Sequence, residues 1–431
     1  MLKRKIEKAL SEWKEKKDHL CLIVQGPRQV GKTFSIREFA KSNYENVIEM
    51  NFVENPSFQR IFDGDLDITT ILANISLYKA FGLKLVPHKT LLFFDEIQAC
   101  PNARTALKFF AQDKRFDVIA SGSMLGISFQ KVSSYPTGYV EYLNMEPLDF
   151  EEFLWANGVS EMVIKTLKQS FDSLTPVNEA MNKKMLELFR QYLVIGGMPA
   201  CVDSFVNEWN YTKVLLIQRA IVRDYKNDIA KYAVSTEKVK AKACFESVPA
   251  QLAKENKKFS YRFFDKKGRS NKYLGSLDWL LDGRIIRTCN CLSSLEPPLT
   301  AQIKEGFFKI YMADTGLLVS MLDDGTNAQI INGELGIYKG AIFENGISQM
   351  LALRGYSLYY YTRNNNLELD FVISSSGVPF LLEVKAGSKC SRSLRTILQE
   401  KPSLKGIKLT DGNIGVKDNL ISLPLYMAMF L

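Results

Sequence analysis

Apolar residues in the first third of the chain follow two different patterns. An amphipathic helix is predicted for residues 1–18, because apolar side chains recur every three or four positions, at Leu2, Ile6, Leu10 and Trp13. Four later runs are apolar without alternation, which is typical of strands buried on both faces of a parallel sheet. These runs are LCLIV at 20–24, VIEMNF at 47–52, LLFFD at 91–95 and FDVIAS at 116–121. The pattern predicts an α/β domain over residues 1–150.

The pattern becomes helical after Pro147. Long helical stretches at 151–173 and 183–195 predict a helical lid domain over residues 151–235, and Gly196-Gly197 with Pro199 is interpreted as a helix break. Residues 273–292 predict a helix, a turn at Asp282-Gly283 and a strand, so residues 236–300 are expected to form a winged-helix-like basic module. Strand and helix signals alternate again over residues 301–431, which indicates a second α/β domain.

Charge favours an anionic partner. The 431 residues carry 56 Lys and Arg against 47 Asp and Glu, a net charge of +9. Residues 238–272 contain 11 Lys or Arg and 3 Asp or Glu, which gives +8, and aromatic residues lie between the lysines. This stretch is either a DNA-binding surface or a solvated basic face around an ordinary helical core.

Cysteine and histidine usage excludes several kinds of site. The seven cysteines have no paired CxxC spacing, so neither a disulfide framework nor a zinc site is predicted, and Cys289 and Cys291 are interpreted as strand residues. Only His19 and His88 are available, which leaves little material for a histidine-based triad. Neither a signal peptide nor a membrane span is expected, and a cytoplasmic location fits best.

A phosphate-binding loop is predicted immediately after the first strand. The segment GPRQVGKT matches GxxxxGK(S/T), follows an apolar strand and precedes a helical run. Glycines let backbone N–H groups face phosphate oxygens, the lysine adds a charge, and the threonine hydroxyl can bind magnesium. The predicted ATP-binding residues are Gly26, Pro27, Arg28, Gln29, Val30, Gly31, Lys32 and Thr33.

Carboxylates at the end of the third strand complete the predicted ATP site. Asp95 is expected to bind Mg²⁺ together with Thr33, and Glu96 to orient a water molecule for attack. Ser121 follows the next strand and is a candidate sensor of the γ-phosphate, although a plain Ser-Gly turn is the alternative.

The motifs together resemble a group of bacterial AAA-type ATP-binding proteins with a C-terminal region of unknown function. The similarity rests on GPRQVGKT, LLFFDEIQ, EPLDFEEFL at 146–154, IGGMPA at 195–200 and YMADTGLL at 311–318, in matching order. The resemblance implies phosphate and magnesium binding by Lys32 and Thr33, hydrolysis by Asp95 and Glu96, and a sensor role for Ser121. One departure is Tyr139, which stands where relatives tend to have a basic residue, and this implies slow turnover or another arginine. Arg104, Arg115 and Arg223 are the candidates for an arginine finger.

A second candidate site lies in the C-terminal region. A hairpin of LELDFVI and PFLLEVKAG is predicted to place Asp370 opposite Leu381 or Leu382, so that Asp370, Glu383 and Lys385 converge. Glu344, on a preceding helix, would add a third carboxylate. This order resembles the restriction-endonuclease-like nuclease core, in which Asp370, Glu383 and Glu344 would bind a divalent metal and Lys385 would act on the attacking water. The alternatives are a decorated edge hairpin and a nuclease-like fold kept for binding.

The sequence therefore predicts a P-loop ATPase that uses ATP and Mg²⁺ and is coupled to a DNA-handling or nuclease domain. The competing hypothesis is a non-cleaving molecular switch in which ATP changes the affinity for DNA or a protein partner. A homo-oligomer is compatible with either hypothesis.

Overall fold

The computed structural model divides the chain into two compact units. It describes residues 1–78, 85–123, 136–232, 238–254, 257–263, 273–334, 339–363, 367–385 and 391–431. The N-terminal unit contains residues 3–146 and 282–284, and the C-terminal unit contains residues 1–2, 147–281 and 285–431. The elements predicted for a separate lid (151–235) and for a C-terminal domain (301–431) thus belong mainly to one compact unit, and the finer predicted boundaries at 150, 235 and 300 remain predictions.

The N-terminal unit is a parallel sheet covered by helices. Its described strands are β1 (Cys21–Gly26), β2 (Asn46–Asn51), β3 (Thr90–Asp95), β4 (Asp117–Ser123) and β5 (Val140–Asn144). They are ordered β2-β3-β4-β1-β5, with every pairing parallel. The helices are α1 (Lys5–Glu15), α2 (Lys32–Asn43), α3 (Ile68–Leu77) and α4 (Pro101–Asp113). The four apolar runs therefore form the predicted parallel strands, and β3 is buried at every position, as a strand covered on both faces must be.

Helices begin the C-terminal unit. They are α5 (Phe150–Ala156), α6 (Glu161–Ser173), α7 (Glu179–Ile195), α8 (Pro199–Glu208), α9 (Tyr211–Tyr232), α10 (Lys238–Leu252) and α11 (Leu274–Asp282). The single helix predicted over 151–173 is two helices, because the chain turns at Gly158, where φ is +77°. The break between α7 and α8 lies at the predicted Gly196-Gly197 pair.

A second sheet forms the rest of the C-terminal unit. Its strands are β6 (Ile286–Leu292), β7 (Ile303–Met312), β8 (Tyr359–Arg363), β9 (Leu367–Ser375), β10 (Val378–Lys385), β11 (Lys405–Thr410), β12 (Gly415–Lys417) and β13 (Leu420–Pro424). The described strands are ordered β12-β13-β11-β10-β9-β8-β6-β7. The associated helices are α12 (Thr315–Ser320), α13 (Thr326–Asn332), α14 (Lys339–Leu353) and α15 (Arg392–Glu400).

The strand of the expected winged-helix module is β6, which forms an antiparallel hairpin with β7 and is part of this large sheet. β6 pairs with β7 on one side and with β8 on the other, so it is not an isolated wing. The predicted boundary at residue 300 falls between the two strands of this hairpin. Part of the basic stretch, residues 255–256 and 264–272, lies outside the described residues.

A buried aspartate joins the helices of the C-terminal unit to its second α/β region. The Asp314 carboxylate accepts hydrogen bonds from the backbone N–H of Gly197 at 2.6 Å and of Leu317 at 3.0 Å, so it caps α12 and fixes the turn after α7. Gln349 on α14 donates to the same carboxylate at 3.4 Å and to the Tyr192 hydroxyl at 3.0 Å. The IGGMPA and YMADTGLL motifs are therefore partners in one buried network.

No helix in the described ranges combines the length and the apolar character that crossing a membrane would require.

Candidate nucleotide site and C-terminal carboxylate centre

The phosphate loop connects β1 to α2 and is held by backbone contacts. Gly31 adopts φ +91°, a left-handed conformation that favours glycine, and it precedes the first turn of α2. At the other end of the loop, a Cβ on Gly26 would lie 2.0 Å from the carbonyl oxygen of Met145. Only glycine fits there. A glycine-containing loop that leads directly into the N-terminus of a helix is the arrangement that binds phosphate.

Lys32 is the first residue of α2, and its side chain contacts the phosphate loop. Its ammonium donates to the carbonyls of Gly26 at 3.1 Å and Pro27 at 2.7 Å, and its side chain is buried. Burial lowers the pKa of Lys32 to about 8, although Glu96 and Asp95 oppose the shift. An anion beside this ammonium would stabilise its charged form.

Asp95 is the centre of a hydrogen-bond network at the carboxyl end of β3. The Thr33 hydroxyl lies 3.1 Å from each of its carboxylate oxygens, and the Ser121 hydroxyl donates to Oδ1. The Asn51 amide donates to Oδ2 at 3.0 Å. Burial raises the pKa of Asp95, while the bonds from Ser121 and Thr33 oppose that rise. The structure thus brings together the predicted Thr33, Asp95 and Ser121, and clustered hydroxyl and carboxylate oxygens suit a hard cation such as Mg²⁺.

Glu96 lies immediately beyond the strand. Its backbone has φ +54°, and its carboxylate accepts a hydrogen bond from the side-chain amide of Gln98. A non-glycine residue in this conformation is uncommon and recurs at functional sites. Gln98 therefore fixes the direction of the carboxylate that was predicted to orient water.

Two polar residues of this site were missed by sequence reasoning. Asn51 ends β2, next to β3, and its Oδ1 accepts from the N–H groups of Val53 and Glu54, which fixes the amide so that it points to Asp95. Gln98 is the other. A polar residue at the end of a neighbouring parallel strand was the available signal for Asn51.

The arginine candidates occupy different environments. Arg104 is buried on α4, Arg115 forms an ion pair with Asp113 at 2.8 Å, and Arg223 lies on α9. At the position that departs from the relatives, the Lys108 ammonium lies 5.4 Å from the ring centroid of Tyr139. A cation is thus present beside Tyr139, on a neighbouring helix.

The C-terminal centre lies where β9, β10 and α14 meet. A two-residue turn at Ser376-Gly377 pairs Phe371 with Leu382, so Asp370 is shifted past its predicted partners, Leu381 and Leu382, toward Glu383. The backbone N–H of Val384 donates to Asp370 at 2.8 Å. The Lys385 ammonium lies 3.0 Å from Glu383 Oε1 and 4.0 Å from Asp370 Oδ2. The structure therefore brings the predicted Asp370, Glu383 and Lys385 together.

Glu344 is engaged by other side chains. Its carboxylate accepts from the Lys257 ammonium and, at 3.2 Å, from the Tyr311 hydroxyl, and the buried Lys309 ammonium lies 3.9 Å away. Burial would raise the pKa of Glu344, but Lys257 and Lys309 lower it. Within the described ranges, no group of three or more His, Cys, Asp or Glu side chains is arranged to hold a metal ion. The predicted three-carboxylate ligand set is therefore not assembled as predicted, because lysines take up Glu344.

The carboxylates of Asp370 and Glu383 have properties that suit binding of a hard cation. Burial and the nearby Glu344 raise the pKa of Asp370 to about 6, against the effect of Lys385. Glu383 is buried, and its Oε2 has no hydrogen-bond partner among the described residues. A buried carboxylate oxygen without a donor is costly unless a cation or proton satisfies it.

Three family models match separate parts of the chain. Residues 18–154 match the family described as AAA domain. Residues 186–328 and 339–426 match two domains of unknown function, DUF8612 and DUF4143. No curated protein matches the sequence.

Solved structures that match the chain include the following three proteins. The Walker-type ATPase of Pyrococcus abyssi is 12% identical with a TM-score of 0.42, over 74% of this chain and 96% of that one. The Aeropyrum pernix ORC1 protein in complex with DNA is 11% identical with a TM-score of 0.29, over 78% and 93%. AMPPCP-bound DnaA from Aquifex aeolicus is 13% identical with a TM-score of 0.28, over 64% and 86%.

The family match, the parallel order β2-β3-β4-β1-β5 and the loop between β1 and α2 agree with one another. The segment of residues 18–154 therefore matches the AAA domain family and has the parallel α/β sheet and phosphate-loop position of a P-loop NTPase.

Proposed function

We propose that the chain binds ATP with Mg²⁺ and hydrolyses it, using Lys32, Thr33, Asp95 and Glu96. The observation that carries the proposal is the convergence of the Thr33 hydroxyl and the Asp95 carboxylate, 3.1 Å apart, beside the loop that holds Lys32. In an AAA-type P-loop domain this is where the metal and the terminal phosphates belong.

Each residue has a distinct part in the proposed reaction. The loop N–H groups and the Lys32 ammonium bind and orient the phosphates. Bound Mg²⁺ would supply charge neutralisation on the phosphates, and Thr33 and Asp95 would hold it. Glu96 accepts a hydrogen bond from the attacking water and orients it, while Gln98 limits the directions available to Glu96.

Phosphate release and ATP titration test this proposal. Lys32→Ala should weaken ATP binding by about 100-fold, on the order of one lost charge-assisted contact. Glu96→Gln should leave binding within about threefold and slow hydrolysis by about 100-fold, the usual size of a lost general base. Lys41→Ala is the matched control, because Lys41 is on the same helix and forms an exposed pair with Glu38. Wild-type hydrolysis in Lys32→Ala would overturn the proposal.

A second candidate function is metal-dependent handling of nucleic acid at the C-terminal centre, with a restriction-endonuclease-like core. The specific observation is the buried Oε2 of Glu383 beside Asp370 and Lys385. Asp370 and Glu383 would hold a divalent cation, whose chemistry is to polarise a phosphodiester. Lys385 lies between the two carboxylates and would stabilise charge on the attacked phosphate.

Lysines on α10 and in the described part of the basic stretch support DNA as the substrate. They are Lys238, Lys240, Lys242, Lys254 and Lys258. If they contact phosphates, affinity for DNA should fall steeply as salt rises, because counterions are released on binding. No binding at low salt would instead favour the non-cleaving switch with a protein partner.

Plasmid and oligonucleotide cleavage with Mg²⁺ or Mn²⁺, with and without ATP, tests the cleaving form of this function. Asp370→Asn should abolish cleavage, and Asp418→Asn, which changes an exposed aspartate of the same unit, should not. Absence of cleavage with ATP hydrolysis intact would favour the switch, in which ATP alters affinity for DNA or a protein partner.

A further inference from the structure

A lysine from outside the second sheet forms an ion pair with a carboxylate of the C-terminal centre. Lys257 lies between α10 and the short 3₁₀ helix Tyr261–Phe263, and its ammonium forms an ion pair with Glu344 on α14. Sequence separation between the two residues is 87 positions. We name residues 257–260 the strap. Its lysine reaches the carboxylate that the hairpin residues would need as a third metal ligand.

The strap is positioned by specific contacts. The backbone N–H of Phe259 donates to the carbonyl of Phe308 at 2.9 Å, on β7, the edge strand of the second sheet. The two phenylalanine rings stack with centroids 5.7 Å apart. The N–H of Ser260 donates to Gln251 at 2.7 Å. These contacts direct Lys257 inward, while the neighbouring Lys258 lies 6.0 Å from the ring centroid of Phe307.

Charges in the centre are nearly balanced by lysines. The carboxylates of Glu344, Glu368, Asp370 and Glu383 are accompanied by the ammonium groups of Lys257, Lys309 and Lys385. Lys309 is fully buried and bonded to Glu368 at 2.6 Å, so it is a fixed part of the core. Lys385 is on the same strand as Glu383. Lys257 is therefore the ammonium that a moving strap could remove.

We propose that Lys257 is a tethered competitor of the metal: its ammonium occupies the cation position at Glu344, and a divalent cation binds Glu344, Asp370 and Glu383 only when the strap withdraws. This inference rests on the second proposed function, the carboxylate centre as a cation site. It accounts for the simultaneous presence of a Glu383 oxygen without a hydrogen-bond partner among the described residues and a Glu344 carboxylate that is paired with lysine. The apparent affinity of a site is reduced by the fraction of molecules in which it is accessible.

Calorimetric titration of the full-length protein with Mn²⁺, in the absence of nucleotide, tests the inference. Lys257→Met removes the ammonium and keeps most of the side-chain volume. The Asp95→Asn change is included in every protein, so that the carboxylate proposed to hold Mg²⁺ beside the phosphate loop does not contribute to the Mn²⁺ signal. Lys258→Met is the matched control, because it removes the same charge from the adjacent position of the strap. Asp370→Asn, alone and combined with Lys257→Met, reports whether binding occurs at the centre.

The expected result is that Lys257→Met lowers the Mn²⁺ dissociation constant about tenfold or more, that Lys258→Met changes it less than threefold, and that Asp370→Asn removes the gain. Equal affinity in Lys257→Met and the control, with binding that still depends on Asp370, would overturn the competitor role and leave the cation site standing. Equal gains in both lysine variants would also overturn it, since the effect would then be general electrostatics. Absence of Asp370-dependent binding in all variants would overturn the cation site and the competitor together. Circular dichroism confirms that each variant is folded.

Discussion

Gly26 gives a direct test of how the first strand sets the phosphate loop. A Cβ at this position would lie 2.0 Å from the carbonyl oxygen and 3.0 Å from the carbonyl carbon of Met145. Carbon–oxygen contacts are ordinarily about 3.3–3.6 Å, so the two segments must separate by more than about 1 Å. Met145 cannot rotate away, because its N–H donates to Gln25 at 2.8 Å.

We expect Gly26→Ala to lower the free energy of unfolding by about 2–4 kcal/mol. Overpacking contributes about 1–3 kcal/mol and the weakened Met145–Gln25 hydrogen bond about 1 kcal/mol. ATP affinity should fall as well, because Lys32 is bonded to the Gly26 carbonyl. Urea unfolding and ATP titration measure the two effects. Gly415→Ala is the control, since its Cβ would meet nothing within 4 Å. Stability of Gly26→Ala within about 0.5 kcal/mol of wild type would refute the reasoning.

Three further perturbations test other parts of the structure. The His19 ring hydrogen-bonds to Asp117 at 2.9 Å, and this bond raises the pKa of His19 above 6.5, although burial opposes the shift. The stabilisation from the charged His19 is therefore fully present below pH 6.5 and is lost as pH rises through the raised pKa. Urea midpoints should fall more between pH 6 and 8 in wild type than in His19→Gln, and His88→Gln should keep the wild-type pH dependence. Asp314→Ala should lower the free energy of unfolding by about 3 kcal/mol, because α12 loses its cap and the Gly197 N–H loses its acceptor. Asp314→Asn keeps an acceptor oxygen and should lose less; equal losses in the two variants would contradict the hydrogen-bond account. The six cysteines that the structure describes are buried, and burial raises the pKa of Cys21 and Cys244 to about 12. These six thiols should therefore resist alkylation at pH 7.5 until urea is added. Peptide mass spectrometry measures the labelling, and rapid labelling of the native protein would be inconsistent with the packing.

Local signals were sufficient for most of the N-terminal sheet. β1, β3 and β4 are largely buried, so each appears in the sequence as an apolar run, and the phosphate loop follows the first run directly. The edge strand β5 is only half-buried or exposed and was not predicted. Parallel order then brings the strand ends together, which explains why Asp95 and Ser121 could be assigned to one site from sequence. Asn51 was missed although it satisfies the same rule, since it ends β2 beside Asp95.

Long-range pairing limited the prediction of the C-terminal unit. A helix, a turn and a strand are common to a winged helix and to the edge of a larger sheet, and only the pairing of β6 with β8 distinguishes the two. In the β9–β10 hairpin a shift of the turn to Ser376-Gly377 changed the expected partner of Asp370. The ion pair between Lys257 and Glu344 joins residues with no periodic relation, so no sequence pattern indicates it.

Buried lysines in the two units indicate opposite requirements for charge. Burial lowers the pKa of Lys32 to about 8, because the nearby Glu96 and Asp95 do not offset the lost hydration, so this ammonium gains from an added anion such as a phosphate. Burial would also lower the pKa of Lys309, but Glu344 and Glu368 raise it instead, which means that carboxylates exceed what this lysine needs. A loop with uncompensated positive charge favours an anionic ligand, whereas a centre with surplus carboxylate favours a cation. The two buried lysines are thus consistent with the two proposed ligands, a phosphate beside Lys32 and a cation at the C-terminal centre.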